Sequence, residues 1–173
     1  MYMGLSFGFG LFAPFGPNSG FKGRQNMNRY QKEMRRRRIE RDIALLERTY
    51  VVCKHENGDG VTVVIDGPAD TPYQGGHFTV QIQFPDAYPF VPPRTRFVTR
   101  VYHPNVAPDG QICVDVLKDM WSPALSAPAV LLTLAQLLAS PNGNDPLSEE
   151  VATLMAEDRQ AFLETAKLWT ARY

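Results

Sequence analysis

Apolar positions along this chain change their period twice. From Asn28 to about Arg48 the residues favour helix, with Ile39, Ile43 and Leu46 at i, i+4 and i+7; the stripe begins late, so only the later part of the helix has a face to bury. Four short segments then favour strands: Tyr50–Lys54, Val61–Asp66, His77–Phe84 and Thr95–Thr99. The third places Phe78, Val80, Ile82 and Phe84 on one side, the alternation of a half-buried strand. Asn57-Gly58-Asp59-Gly60 is a hairpin signal, and the strands together predict an antiparallel meander with one covered face. Helical spacing then returns. Ser126-Ala127-Pro128 starts a helix that runs through Ala139, with Ser126 placed to cap it and Val130, Leu131, Leu134, Leu137 and Leu138 on a wide apolar face. After the break at Pro141–Pro146, helices are expected at about Ser148–Ala156 and Asp158–Ala171, packing through Leu154, Phe162, Leu168 and Trp169. Helix, meander, then helices is an α+β order of elements.

Two stretches follow neither period. Residues 1–27 scatter Phe7, Phe9, Phe12, Phe15 and Phe21 among glycines and Pro14 and Pro17, which reads as a flexible extension. A tail without a specific task and a phenylalanine-bearing peptide that orders on binding both fit it. In Phe84–Pro93 the prolines at 85, 89, 92 and 93 leave an extended segment. Its Tyr88 and Phe90 are either core plugs or a ledge for a partner.

Composition narrows the class. A chain of 173 residues, 44% of them hydrophobic, supports one full core plus an appendage. Net charge is zero but uneven: residues 1–48 hold ten Lys/Arg against four Asp/Glu, and the excess is balanced by acid downstream. Arg35 to Arg38 wrap a helical turn in positive charge, which fits a solvated face, a docking surface for an acidic protein or a nuclear-import signal. Nucleic-acid binding is disfavoured, since no aromatic platform accompanies the arginines. No apolar stretch has membrane-spanning length, and glycines and prolines interrupt the chain start where a signal peptide would be apolar. A reducing, intracellular setting is expected. Cys53, beside Val51 and Val52, reads as a buried structural thiol. Two cysteines about 60 residues apart with scattered His55, His77 and His103 show no metal-ligand spacing.

Chemistry concentrates in Tyr102–Trp121, where Asn105 stands eight residues before Cys113 across a Pro-Asp-Gly turn. A cysteine past a tight turn is accessible to another protein, and its thiolate attacks carbonyls and leaves from thioesters. A neighbouring asparagine either donates its amide to an oxyanion or pins the loop through backbone hydrogen bonds. Asp115 and Asp119 oppose thiolate formation, so an ordinary thiol is expected at Cys113.

Taken in order, residues 35–173 resemble the ubiquitin-conjugating enzymes. The resemblance is carried by Gly67-Pro68, Pro72–Gly76, Tyr88–Pro93, His103-Pro104-Asn105, Cys113, Trp121–Leu125 and Asn144-Asp145-Pro146. It implies the UBC fold over residues 28–173, following the 1–27 extension. It further implies a relay: an activating enzyme, which itself uses ATP, passes ubiquitin to Cys113 as a thioester, and a substrate lysine attacks it. No cofactor is bound directly and no metal is required. Asp145 then positions the lysine and Asp115 assists its approach, while His103 and Pro104 brace the turn structurally. Phe90, Pro123 and Ala124 fall where RING- or HECT-type ligases dock, Arg38 on the face shared with the activating enzyme, and Leu132 where carried ubiquitin folds back. Met120 departs from the polar residue common before this tryptophan in related enzymes. A monomer in cytoplasm and/or nucleus is expected, with no nucleic acid or membrane partner. Conjugation of another ubiquitin-like modifier and a non-catalytic UBC-fold scaffold remain as alternatives.

Overall fold

A computed structural model describes the backbone of residues 19–112, 121–143 and 145–173, with side chains from residue 28 onward. The described residues divide into two units at Met34 and Arg35. Helix α1, Ser19–Leu46, runs through that boundary. It starts within the segment expected to be a flexible extension, nine residues before the helix start read from Asn28. In the first unit Tyr30 and Met34 are exposed. In the second, Ile39, Ile43 and Leu46 are buried, as their late-starting stripe predicts.

Arg35–Tyr173 is built around one sheet. Strands β1 (Val52–Lys54), β2 (Gly60–Asp66), β3 (His77–Gln83) and β4 (Arg94–Phe97) lie in sequence order, all antiparallel. Pairs Val61↔Ile82, Val63↔Val80 and Ile65↔Phe78 set alternate residues on the core side. The Asn57–Gly60 turn joins β1 to β2, with Gly58 at φ 70°, a left-handed value that glycine adopts without a Cβ penalty. Helix α2 (Ala127–Ala139) supplies Val130, Leu131, Leu134, Leu137 and Leu138 to the same core. Helices α3 (Glu149–Glu157) and α4 (Arg159–Arg172) follow, with Val151, Phe162 and Ala166 buried.

Several details depart from expectation. Cys53 is exposed rather than buried, because β1 is a short edge strand whose Val52 packs on the core, and alternation turns Cys53 to the opposite face. Leu168 is also exposed, while Trp169 packs on Tyr102 at 5.4 Å between ring centroids. Ser126 occupies the N-cap of α2, yet its side chain makes no capping hydrogen bond. The proline-rich segment splits its two aromatics: Tyr88 is buried at 2% exposure and Phe90 stands out at 79%. The peptide bond before Pro89 is cis.

The two faces of α2 are tested by a matched pair of truncations. Leu134 is fully buried and Leu132 is 65% exposed on the same helix. Leu134→Ala should cost about 2–5 kcal/mol of unfolding free energy. Leu132→Ala should change it by less than about 0.5 kcal/mol. Urea denaturation of the two variants measures both, and equal losses would contradict the orientation of α2.

Candidate functional site

The segment after β4 reaches the site by a tight return. Val106 pairs with Ile112 as an antiparallel bridge, and the turn between them is closed by Ala107 N–H donating to Gln111 O and Gly110 N–H donating to Ala107 O, each at 2.8 Å. Gly110 is required here twice over. Its φ is 84°, and a Cβ there would lie 1.9 Å from Phe97 O. The Pro-Asp-Gly turn read from sequence is therefore a hairpin seated on β4, with Arg96 bridged to Gln111. Ile112, the residue before Cys113, sits opposite Val106, the residue after Asn105.

His103, Pro104 and Asn105 form the hub beneath that hairpin. All three are buried. His103 Nε2 donates to Leu137 O at 3.0 Å, at the end of α2, while its Nδ1 accepts from the Asn105 backbone N–H at 3.0 Å. A ring nitrogen that accepts from an amide carries no proton, so this ring is the neutral Nε2–H tautomer. Burial holds its pKa down at about 4, against which the Leu137 carbonyl pulls upward. The ring is 1% exposed and both of its nitrogens are engaged. Pro104 O accepts from Leu147 N–H and Ser148 N–H, at 2.8 and 3.0 Å, on the approach to α3. Tyr73 OH donates to Tyr102 O at 2.7 Å and fixes the chain just upstream.

Asn105 binds the loop before α3 with its whole side chain. Its Nδ2 donates to Asn142 O at 2.7 Å and to Asp145 O at 3.1 Å, and its Oδ1 accepts from Asn142 N–H at 2.8 Å. Both amide hydrogens are thus engaged. Of the two roles open to Asn105, loop pinning matches this geometry, since donation to an oxyanion requires one of these bonds to be exchanged. The same contacts bring Asp145 to the hub through its main chain, while its carboxylate-bearing side chain is exposed. Asn142 was not singled out in sequence, because its part is played by backbone groups that residue type does not reveal.

Cys113 and Asp115 lie outside the described residues, as do Asp119 and Met120. Among the described residues, no group of His, Cys, Asp and Glu is placed to hold a metal ion. No helix among them is long and apolar enough to cross a membrane.

A second cluster joins the proline-rich segment to the loop before α2. Trp121 Nε1 donates to Pro89 O at 2.9 Å, and the Tyr88 and Trp121 rings lie 5.7 Å apart. Phe90, Pro123 and Ala124 are all exposed along these two segments. Leu132 is exposed on the outer face of α2. Arg38, by contrast, turns inward: Nε donates to Asp42 Oδ2 at 2.8 Å, and its terminal nitrogens donate to Pro123 O and Leu125 O. Asp42 is 1% exposed and also accepts from Tyr88 OH. Burial, then the bond to Asp42, pushes the Tyr88 hydroxyl pKa up and keeps it a donor. Arg35 likewise reaches the body, through Phe84 O, Pro85 O and Asp59. The arginine run is therefore not one uniform solvated face. Arg38 with Asp42 at i+4 was the available signal for this, and its place beside the Ile39 and Ile43 stripe marked the pair as inward.

Residues 29–170 match the family model described as ubiquitin-conjugating enzyme. The chain belongs to the ubiquitin-conjugating enzyme family. Among solved structures, it is similar to the E2 domain of a Toxoplasma gondii ubiquitin-conjugating enzyme, with 40% identity and a TM-score of 0.74, over 79% of this chain and 96% of that one. A Plasmodium yoelii protein described as a ubiquitin-conjugating enzyme matches with 39% identity and a TM-score of 0.74, over 79% of this chain and 92% of that one. The UBC fold expected from the motifs is thus the fold observed: N-terminal helix, four-stranded antiparallel sheet, then C-terminal helices.

The buried His103 of this UBC domain has a consequence for stability against pH. Its folded pKa of about 4 lies below the unfolded value of about 6.5, so the unfolded chain takes up the proton first as pH falls. The stability it contributes is fully present above about pH 6.5 and is lost progressively down to about pH 4, on the order of 3 kcal/mol in all. Unfolding free energies of the wild type and His103→Gln, measured across that interval, should show a shallower pH slope in the variant. Parallel slopes would mean that the ring already protonates in the folded state.

Proposed function

We propose that this protein is a ubiquitin-conjugating enzyme that accepts ubiquitin from an activating enzyme as a thioester on Cys113 and passes it to a substrate lysine, usually with a RING- or HECT-type ligase. The observation that carries this reading is the Asn105 hub. A fully buried side chain clasps Asn142 and Asp145, so the hairpin leading to Cys113 and the loop bearing Asp145 are held as one unit.

Each step asks something different of the protein. Charging is thiol exchange: the Cys113 thiolate attacks the modifier's C-terminal thioester on the activating enzyme, whose thiol leaves. Access and alignment suffice, and a thiol of ordinary acidity serves, with Asp115 and Asp119 nearby in sequence. Transfer is aminolysis: the lysine nitrogen attacks the carbonyl carbon, loses its proton, and the C–S bond breaks to return the Cys113 thiol. An unperturbed lysine near neutrality costs about 4–5 kcal/mol to deprotonate. A carboxylate at Asp145 favours the ammonium form, so its role is to position the amine and take up the proton, while desolvation lowers the lysine pKa. Asp115 assists lysine approach. His103, buried and with both nitrogens bonded, stays out of the proton path. No cofactor takes part directly.

Partner surfaces follow the same reading. Phe90, Pro123 and Ala124 form the ligase ledge, Leu132 the contact for carried ubiquitin, and the first helix the face for the activating enzyme. The protein acts as a monomer in the cytoplasm, the nucleus or both.

Incubation with ATP, an activating enzyme and its modifier should yield an adduct that reductant removes and Cys113→Ala abolishes. Running ubiquitin beside other ubiquitin-like modifiers separates the choice of modifier, and no adduct with any of them would leave only the scaffold alternative. Asn105→Asp sets a carboxylate against the Asn142 and Asp145 carbonyls. It should slow discharge to free lysine by about 10²-fold or more, the scale of losing one well-placed donor. Discharge at the wild-type rate with a normally folded loop would remove both roles of Asn105.

A further inference from the structure

Within the arginine run, the Arg38 guanidinium is committed to three segments of the body at once. Its Nε is bonded to Asp42 on its own helix, its terminal nitrogens to the carbonyls of Pro123 and Leu125, and its Cζ stands 5.5 Å from the centroid of the Tyr88 ring. Tyr88 donates to the same Asp42 oxygen and packs on Trp121, whose indole N–H holds Pro89 O. The side chains of Arg38 and Asp42 are 16% and 1% exposed, so little of the pair is left for a visiting protein.

We propose that Arg38 is a positioning residue for the ligase-facing ledge, fixing the main chain of Pro123 and Leu125 against the Tyr88–Phe90 turn. Phe90, Pro123 and Ala124 then present a single preformed surface. The inference rests on the reading that this ledge receives a ligase. The chemistry requires arginine: one planar fork reaches a carboxylate and two carbonyls together, whereas a lysine ammonium keeps the charge but lacks the fork. Charge is also needed at this place. Asp42 is buried with Oδ1 unbonded, and Arg38 is the cation that compensates it. Because the Pro123 and Leu125 carbonyls lie at the surface, water replaces the guanidinium when it is lost. The segment then loosens without unfolding the core. A loosened ledge binds its ligase more weakly, since the ordering must be done on binding.

The test uses the full chain, with Arg38→Lys and Asp42→Asn as variants. Hydrogen exchange of the Leu125 amide, which donates to Ser122 O, reports the segment in the free protein. Exchange there should quicken in both variants. With purified thioester and a RING ligase titrated in, Asp42→Asn should raise the half-saturating ligase concentration about fivefold, the effect of lost preorganisation. Its ligase-free discharge should stay at the wild-type rate. Arg38→Lys should show a comparable ligase shift although it keeps its charge. Unchanged exchange in both variants overturns the proposal. So does a ligase shift confined to Arg38→Lys with quiet exchange, which identifies a direct contact. If Asp42→Asn fails to fold cooperatively, exchange in Arg38→Lys decides alone. A wild-type protein that forms no thioester sinks the functional reading instead, and the exchange measurement still decides the clamp.

Discussion

Three consecutive buried residues tie together the parts of this domain that are far apart in sequence. His103 grips the end of α2, Pro104 the entry to α3, and Asn105 the loop between them. None of these bonds is strong alone; a typical net contribution is about 1 kcal/mol. Their weight comes from burial. Each removed partner leaves a polar group in the interior without water, so the hub tolerates no partial version of itself. The hairpin at Val106–Ile112 continues directly from this bonded hub.

The same division of labour recurs on the other side of the domain. Asp42 is a carboxylate in the interior, a costly placement that a hydrophobic residue would avoid. In return it orders Arg38 and Tyr88, and through them two loops that carry exposed apolar residues. Phe90 and Leu125 stand among the large hydrophobic side chains left in water, and such groups, when clustered, mark surfaces made for another protein. Rigid polar networks below and apolar residues above describe both ends of the proposed relay.

Much of this was readable in the order of residues. The late stripe of Ile39, Ile43 and Leu46, the alternation of Phe78 to Phe84 and the Asn57–Gly60 turn gave the helix and the meander, because period and turn chemistry are local properties. The spacing of His103–Asn105, Cys113 and Asp145 pointed to the family. What escaped were matters of context. Cys53 and Leu168 look apolar in the chain, but exposure depends on which neighbour arrives from elsewhere. Tyr88 and Phe90, two residues apart, took opposite fates because the turn at Pro89 sends one ring inward. Arg35 and Arg38 read as surface charge, since a backbone carbonyl acceptor has no sequence signature. Asn142 stayed hidden for the same reason.

The hairpin that leads to Cys113 also bears on the edge of the sheet. A sheet with free edges invites other chains to add strands, and natural proteins block or shorten those edges. Here the β4 edge is covered by the bridge from Arg96 to Gln111, and the opposite edge is β1, a strand of three residues ending at Lys54. The segment that leads to Cys113 therefore also covers part of the β4 edge, where another chain could otherwise add. A lesion that unseats it would expose a template for aggregation along with a damaged site.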